Sequence, residues 1–404
     1  MPEKPLKGCL LDDPRIETPV FVIDDEKLEA NLQFAKRRAE ALGVTLRPHL
    51  KTHKSWAIAK RQMVSPAGPA TVSTLAEARY FAGKGVKDII FAVGIAPQKL
   101  AAVAKIRRTT GCDLKVILDS VEAAQCVADF CESANEDIPA LIEIDVDGHR
   151  SGLQPGSEEI IAVARALTAK HAGAKLAGVI THAGGSYDEK SIEGIRRAAQ
   201  RECDGIVEAA EALRAAGFEV PIVSVGSTPT LAFAEDEKGV TEIRAGVYSL
   251  FDLFMANLGV APISRIAGSV LATVIGHQKA KGQVIVDAGF LAMSRDRGTQ
   301  RQSKDYGFGL VCDIHGAPLA GGTVIMKGTN QEHGILESTT GEPLRPEDYP
   351  IGMRLRVLPN HACPTAAPYR TLLLVDETGR IKDEVFHVRG WDYCPAEDAA
   401  IDGE

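Results

Sequence analysis

The chain lacks a CxxC pair, an apolar run of the ~18 residues that would suggest a membrane span, and any excess of positive charge. Its eight cysteines, Cys9, Cys112, Cys126, Cys131, Cys203, Cys312, Cys363 and Cys394, are scattered. In a chain of this length they read as reduced thiols, mostly small core fillers. A net charge of −8 and a pI near 5.8 disfavour nucleic acid as a partner and give no reason to expect an anionic membrane surface. The opening Met1-Pro2-Glu3-Lys4-Pro5 lacks the charged-then-apolar pattern of a secretory signal, so the expected location is the cytoplasm. No internal repeat or low-complexity tract stands out.

What is there fits an ordinary globular protein, 45% apolar and 25% charged. At 404 residues it is longer than one hydrophobic core usually serves, which predicts two domains. After a proline-bearing opening, apolar β-branched runs alternate with alanine-rich amphipathic stretches. The runs are Pro19–Asp24, Thr45–Leu50, Ala70–Leu75, Asp88–Val93, Leu114–Asp119, Ala140–Asp145, Leu176–His182 and Ile222–Gly226. Eight strand-like runs with helices between them predict an α/β fold, a TIM-type (β/α)8 barrel over residues 18–263. From Ser264 the helical period fades. Runs such as Gly268–His277, Gln283–Asp287, Leu310–Ile314, Met353–Leu358 and Thr371–Val375 predict an antiparallel β-domain over 264–395, which residues 1–17 are free to join. The acidic tail Cys394–Glu404 reads as loose.

The chemistry gathers at predicted strand ends, where barrel active sites lie. Leu46-Arg47-Pro48-His49-Leu50-Lys51-Thr52-His53-Lys54 puts Lys51 where the second run gives way to a loop. An ordinary lysine, with a pKa of about 10.4, is a poor nucleophile until its surroundings lower that value. Arg47, His49, His53 and Lys54 are expected to crowd it with positive charge, which has that effect. Further on come Asp145, Asp147, His149 and Arg150, then Thr181-His182-Ala183-Gly184-Gly185-Ser186-Tyr187. Gly226-Ser227-Thr228 offers N–H groups and hydroxyls for a phosphate, and Arg244-Ala245-Gly246-Val247-Tyr248 follows. Each is weak alone, because glycine, serine and threonine favour turns for local reasons.

Taken in order on a barrel followed by a β-domain, these segments resemble the fold-type III pyridoxal-phosphate enzymes, whose best-known members are the alanine racemases. Arg47–Ser55 and the later His361-Ala362-Cys363 are similar to the branch holding eukaryotic-type D-serine dehydratase, D-threonine aldolase and D-threo-3-hydroxyaspartate dehydratase. The resemblance runs from about Thr18 to Trp391. It implies pyridoxal 5'-phosphate bound covalently at Lys51, with Arg150 near the phenolic oxygen and His182 against the pyridine ring. It implies Tyr187 beside the cofactor or substrate. Gly226, Ser227, Thr228, Gly246 and Val247 would hold the phosphate, with Tyr248 completing the cofactor-binding set. Arg244 falls where the racemases set an arginine against the pyridine nitrogen, although the metal-dependent branch varies there. The racemases' second base, a tyrosine of the β-domain, has no visible counterpart, which argues against racemisation.

His361 and Cys363 are two residues apart, so on a strand they would share a face. Imidazole plus thiolate suits Zn²⁺, with Mn or Mg as alternatives, and two protein ligands leave positions for water and substrate. Asn330-Gln331-Glu332-His333 offers a carboxylate or imidazole behind these ligands. The implied reaction is β-elimination from a β-hydroxy-D-amino acid such as D-serine, giving a keto acid and ammonia. Aldol cleavage to glycine and an aldehyde uses the same parts, with cysteine at position 363 leaning toward zinc and dehydration. A third reading, a cofactor-holding protein without turnover, is opposed by the added β-domain. Arg47, Arg295, Arg297 and Arg301 are candidates to bind a second substrate carboxylate. The family resemblance also implies a homodimer.

Overall fold

A computed structural model describes residues 6–170 and 173–392. The tail from Cys394 therefore lies outside the described residues, as do Met1–Pro5 and His171. The chain forms two compact units, one running to Leu32 and resuming over Val247–Gly390, the other built from Gln33–Gly246. The first strand, β1 (Val20–Asp24), is not part of the barrel. It pairs antiparallel with a strand beginning at Gly268 and parallel with Thr371–Val375.

The barrel strands are β2 (Thr45–Leu46), β3 (Ala70–Val72), β4 (Asp88–Gly94), β5 (Asp113–Leu118), β6 (Ile138–Ile144), β7 (Ala174–Thr181), β8 (Ile222–Val225) and β9 (Glu242–Ile243). All pair parallel, in the order β2-β9-β8-β7-β6-β5-β4-β3. The ring closes where the Thr71 N–H donates to the Pro48 carbonyl at 2.9 Å and His49 bridges Thr71. Proline has no N–H to give, but its carbonyl is free to accept. The eight-stranded fold is thus the expected one, with two strand assignments corrected. The apolar run at Pro19–Asp24 belongs to the other sheet, and the eighth barrel strand is the two-residue β9. Apolar content in a run reports burial and says nothing about which sheet receives it. β9 is too short, and too polar at Glu242, to register as a run at all.

The second unit adds β10 (Gly268–Gln278), β11 (Gln283–Val286), β12 (Leu310–Cys312), β13 (Val324–Thr329), β14 (Gly334–Ser338), β15 (Arg354–Leu358), β16 (Thr371–Val375) and β17 (Ile381–Phe386). Their order is β11-β14-β13-β12-β15-β10-β1-β16-β17, and β10 also pairs with β11. Six strands therefore close into an antiparallel barrel, with β1, β16 and β17 extending it. Closure removes the edges that would otherwise invite pairing with other chains. Leu11 and Ile16 pack with Val22, Leu271, Leu373 and Ile381, and the Arg354 guanidinium donates to the Leu11 and Ile16 carbonyls at 2.6 and 2.9 Å. The segment before β1 is thereby fastened to this core.

The larger barrel carries charge in its interior. Arg47 is 2% exposed; its Nε donates to Glu242 at 2.8 Å, and its terminal nitrogens hold Asp88 bidentately at 2.9 Å. Lys115 also reaches Asp88 at 2.7 Å. Glu242 further accepts from Ser224 Oγ at 2.6 Å, and Ser224 Oγ accepts from Arg244 Nη1 at 2.7 Å. A continuous polar chain thus runs from Lys115 through Asp88, Arg47, Glu242 and Ser224 to Arg244. Truncating one partner of such a pair leaves a buried charge uncompensated, a loss of about 3–5 kcal/mol. Arg47→Met is expected to lower the unfolding free energy by that amount in urea titration.

Candidate active site

Lys51 lies just beyond the point of barrel closure. His49 caps a single 3-10 turn, Leu50–Thr52, its Nδ1 accepting the Lys51 N–H at 3.4 Å. Leu50 and Thr52 are buried while Lys51 between them is exposed. No carboxylate lies within ion-pair reach of its amine among the described residues, in contrast to Lys54, which meets Glu77 at 3.3 Å. The expected crowd of positive charge is corrected here. Arg47 is neutralised by Glu242 and Asp88, so it is also unavailable to a substrate carboxylate. His53 is buried, with Nε2 2.6 Å from Gln62 Oε1, and burial pushes its pKa down to about 4. His49 is held well below the ordinary imidazole value, first by burial and then by the charges of Lys51 and Arg244. Its Nε2 meets Ser73 Oγ at 3.2 Å.

His182 follows β7. Its Nδ1 lies 2.9 Å from the Gly226 carbonyl, and burial, with Lys51, Arg244 and Arg150 adding repulsion, pushes its pKa down to about 3. Tyr187 is tilted against it with ring centres 6.1 Å apart. Arg150 is exposed, its Nη2 3.8 Å from Glu143 Oε1. The loops carrying Arg150 and Tyr187 are joined where the Gly185 N–H donates to Asp147 Oδ2 at 2.7 Å. Arg244 is buried; Nη2 donates to the Thr181 carbonyl, and burial lowers its pKa to about 10 against the pull of Glu242 and Glu202. Lys51, His182, Arg150 and Arg244 are thus brought within electrostatic reach of one another.

Two glycines are required here by close backbone packing. Gly226 has φ +133°, and a Cβ there would meet the Arg244 carbonyl oxygen at 2.0 Å. A Cβ on Gly246 would lie 3.0 Å from the His49 carbonyl oxygen. Not all of the turn's expected phosphate donors are free. The Gly226 N–H goes to Glu202 Oε1 at 2.8 Å and the Ser227 N–H to Thr230 Oγ1 at 3.0 Å. Ser227 Oγ caps the short helix Thr228–Phe233. Val247 and Tyr248 are buried in the next 3-10 turn, Val247–Ser249, which belongs to the β-rich unit. Sequence reasoning missed Glu202 altogether. Its only signal was a glutamate on the alanine-rich face of a helix, Ile192–Ala215.

In the β-rich unit, His361 and Cys363 are not on a strand. β15 ends at Leu358; His361 stands at the N-cap position of the helix Ala362–Ala366 without a capping side-chain bond, and Cys363 lies in its first turn. The helix start, not strand alternation, brings them into contact. His361 Nδ1 lies 2.8 Å from Asp296 Oδ2. Burial opposes a charged imidazole there, but hydrogen bonds to Asp296 and Cys363 outweigh it and raise the His361 pKa to about 11. The carboxylate behind the histidine is therefore Asp296. The Asn330–His333 turn instead docks by backbone, Asn330 and Gln331 carbonyls accepting from Phe290 and Leu291. Among the described residues no three His, Cys, Asp or Glu side chains converge as a metal group. Arg297 pairs with Asp305 at 2.8 Å, and Arg295 stacks on Phe290 at 4.1 Å from the ring centre.

The sequence matches the family described as alanine racemase, N-terminal domain, over residues 23–253, and a serine dehydratase domain over residues 267–375. D-threo-3-hydroxyaspartate dehydratase of Delftia sp. (strain HT23) is 48% identical, the alignment covering 93% of this chain and 98% of that protein. D-serine dehydratase of Dictyostelium discoideum is 29% identical over 92% and 96% of the respective chains. Among solved structures, a variant of D-threo-3-hydroxyaspartate dehydratase in a metal-free form superposes with a TM-score of 0.90 at 46% identity, covering 93% of this chain and 99% of that one. No helix among the described residues is long and apolar enough to cross a membrane.

Glu237 is buried near Glu202 and Cys203, and burial and then Glu202 push its pKa up to about 8. An unfolded glutamate titrates near 4.3. The native state therefore keeps a proton that the unfolded chain has lost between these values, and stability falls as pH rises through that window. Glu237→Gln removes this liability. It is expected to exceed wild type by about 1–3 kcal/mol at pH 8.5 and to match it near pH 4.5, as read by urea unfolding.

Proposed function

The chain belongs to the fold-type III pyridoxal-phosphate enzymes, in the branch that joins an alanine racemase N-terminal domain to a serine dehydratase domain, and from this we propose that it is a pyridoxal-phosphate- and divalent-metal-dependent lyase that removes water from a β-hydroxy-D-amino acid. The observation that carries the reading is Lys51, an exposed amine with no carboxylate partner among the described residues, set at the point of barrel closure among cationic and neutral-imidazole neighbours. That surrounding suits an anionic aldehyde cofactor. Gly226 and Gly246 let the Arg244 and His49 backbone pack closely around this point. The imidazole–thiol pair suits zinc, with Mn or Mg as alternatives.

When bound, pyridoxal phosphate supplies an electron sink for charge developing at the α-carbon, and a metal supplies a Lewis acid for the β-hydroxyl. Lys51 would hold the cofactor by its Nζ, and the same atom would take the substrate's α-proton. His182 would pack on the ring, with its Nε2 uncharged, and Tyr187 would sit near the cofactor or substrate. Arg150 would face the phenolic oxygen and Arg244 the ring nitrogen. Gly226, Ser227, Thr228, Gly246, Val247 and Tyr248 would surround the phosphate. His361, steadied by Asp296, and Cys363 would hold the metal. D-threo-3-hydroxyaspartate and D-serine are the substrates favoured by the relatives' names. The reading includes a homodimer, by family resemblance, and a cytoplasmic location, in keeping with the scattered cysteines.

The test is a product assay over a panel of β-hydroxy-D-amino acids. Keto acid and ammonia without aldehyde support elimination, whereas glycine plus aldehyde would support an aldolase instead. Lys51→Ala is expected to lose the visible absorbance of the bound cofactor and at least ~100-fold in rate. If that absorbance survives, the lysine assignment is wrong. Cys363→Ala should lower the metal content found by elemental analysis, and zinc should restore activity to chelator-treated wild type.

A further inference from the structure

The loop carrying His182 and the turn starting at Gly226 follow neighbouring barrel strands, β7 and β8. They are joined from below by one side chain. Glu202 is fully buried on the barrel-facing side of the helix Ile192–Ala215. Its Oε1 accepts two backbone N–H groups, Ala183 at 3.0 Å and Gly226 at 2.8 Å, one from each segment. Above this joint, His182 Nδ1 meets the Gly226 carbonyl at 2.9 Å, and Ser186 Oγ bonds both the Ala183 carbonyl at 2.7 Å and Ser227 Oγ at 2.9 Å. The other oxygen, Oε2, is sealed from solvent without a hydrogen-bond partner of ordinary geometry; the Thr230 hydroxyl also favours the carboxylate but is shared with Ser227. Burying a carboxylate with one oxygen unused is costly, and a fold that needed only helix packing here would be served by an apolar residue.

We propose that Glu202 is a positioning residue: by gripping the Ala183 and Gly226 amides it fixes the His182 ring and the Gly226–Thr228 turn relative to each other, and so prepares the cofactor site. A carbonyl can only accept, so the bond to Gly226 requires the proton of neutral His182 to sit on Nδ1 and leaves a lone pair on Nε2. Without Glu202 both amides are left unpaired in the interior and the Gly226 carbonyl is free to shift. The histidine then loses the contact that selects its tautomer. What matters in this account is the acceptor oxygen, not the negative charge. The inference rests on the cofactor reading above, and its test separates the two.

The variants are Glu202→Gln, which keeps a carbonyl acceptor at the same reach, and Glu202→Ala, which removes it. Two properties are read. The first is the ¹⁵N shifts of the His182 ring in cofactor-free protein. The second is the dissociation constant for pyridoxal phosphate, with the melting temperature of the cofactor-free protein recorded alongside. Wild type and Glu202→Gln should both show a protonated Nδ1 and bind within about threefold of each other. Glu202→Ala should show mixed tautomers and bind at least ~10-fold more weakly. If Glu202→Ala matches wild type in both readouts, or if Glu202→Gln fails as badly as Glu202→Ala, the positioning role is overturned. Should Glu202→Ala not fold, Ser186→Ala decides: a loosened His182 tautomer with an unchanged melting temperature supports the joint, and wild-type shifts overturn it. If wild type itself fails to bind pyridoxal phosphate, the functional reading falls while the ring shifts still decide the role of Glu202.

Discussion

An arginine cannot shed its proton inside a protein, so burying Arg47 compels carboxylates to be buried with it. Glu242, buried on the adjoining strand β9, meets that demand together with the half-buried Asp88 at the start of β4, and Lys115, Ser224 and Arg244 extend the chain of partners. The barrel interior is thus a polar core in which Arg47 and Lys115 are paired with carboxylates. That pairing isolates Lys51. The cations around it in sequence are paired elsewhere, while Lys51 at the rim has no carboxylate to hold it among the described residues. An amine left uncommitted in this way is the one free to react.

The histidines of the chain divide by the same logic. His49 and His182 are half-buried near cations and away from carboxylates, which favours their neutral forms, and His182 is oriented by a carbonyl. His361 faces Asp296 and Cys363 instead, and these outweigh burial to favour its charged form. A neutral, oriented ring suits packing against a cofactor. A histidine braced by a carboxylate suits a metal. Burial alone would push all three in one direction, and it is the partner across the hydrogen bond that separates them.

Much of the fold and part of the site was legible in the residues. Lys51 at a strand end, His182 after its strand, Arg150 in its loop and the His361-Ala362-Cys363 segment are all local in sequence, and the alternation of runs and amphipathic stretches implied the barrel. The illegible parts share one feature. Asp296 bonds His361 across 65 residues, and Arg47 bonds Glu242 across 195. Glu202 reaches Ala183 and Gly226 from within a helix whose periodicity gives no hint of a polar task. Likewise, apolar content in Val20–Asp24 was right about burial and silent about the sheet.

By itself, the order of residues determined which segments bury themselves, where helices start and stop, and which reactive groups stand at strand ends, because these depend on period and on neighbours a few positions away. Only the tertiary structure decided which strands share a sheet, which cations are neutralised, and which acceptor holds each histidine. Those outcomes depend on hydrogen bonds between groups far apart in the chain, and a buried charge or imidazole takes its state from the partner it meets there.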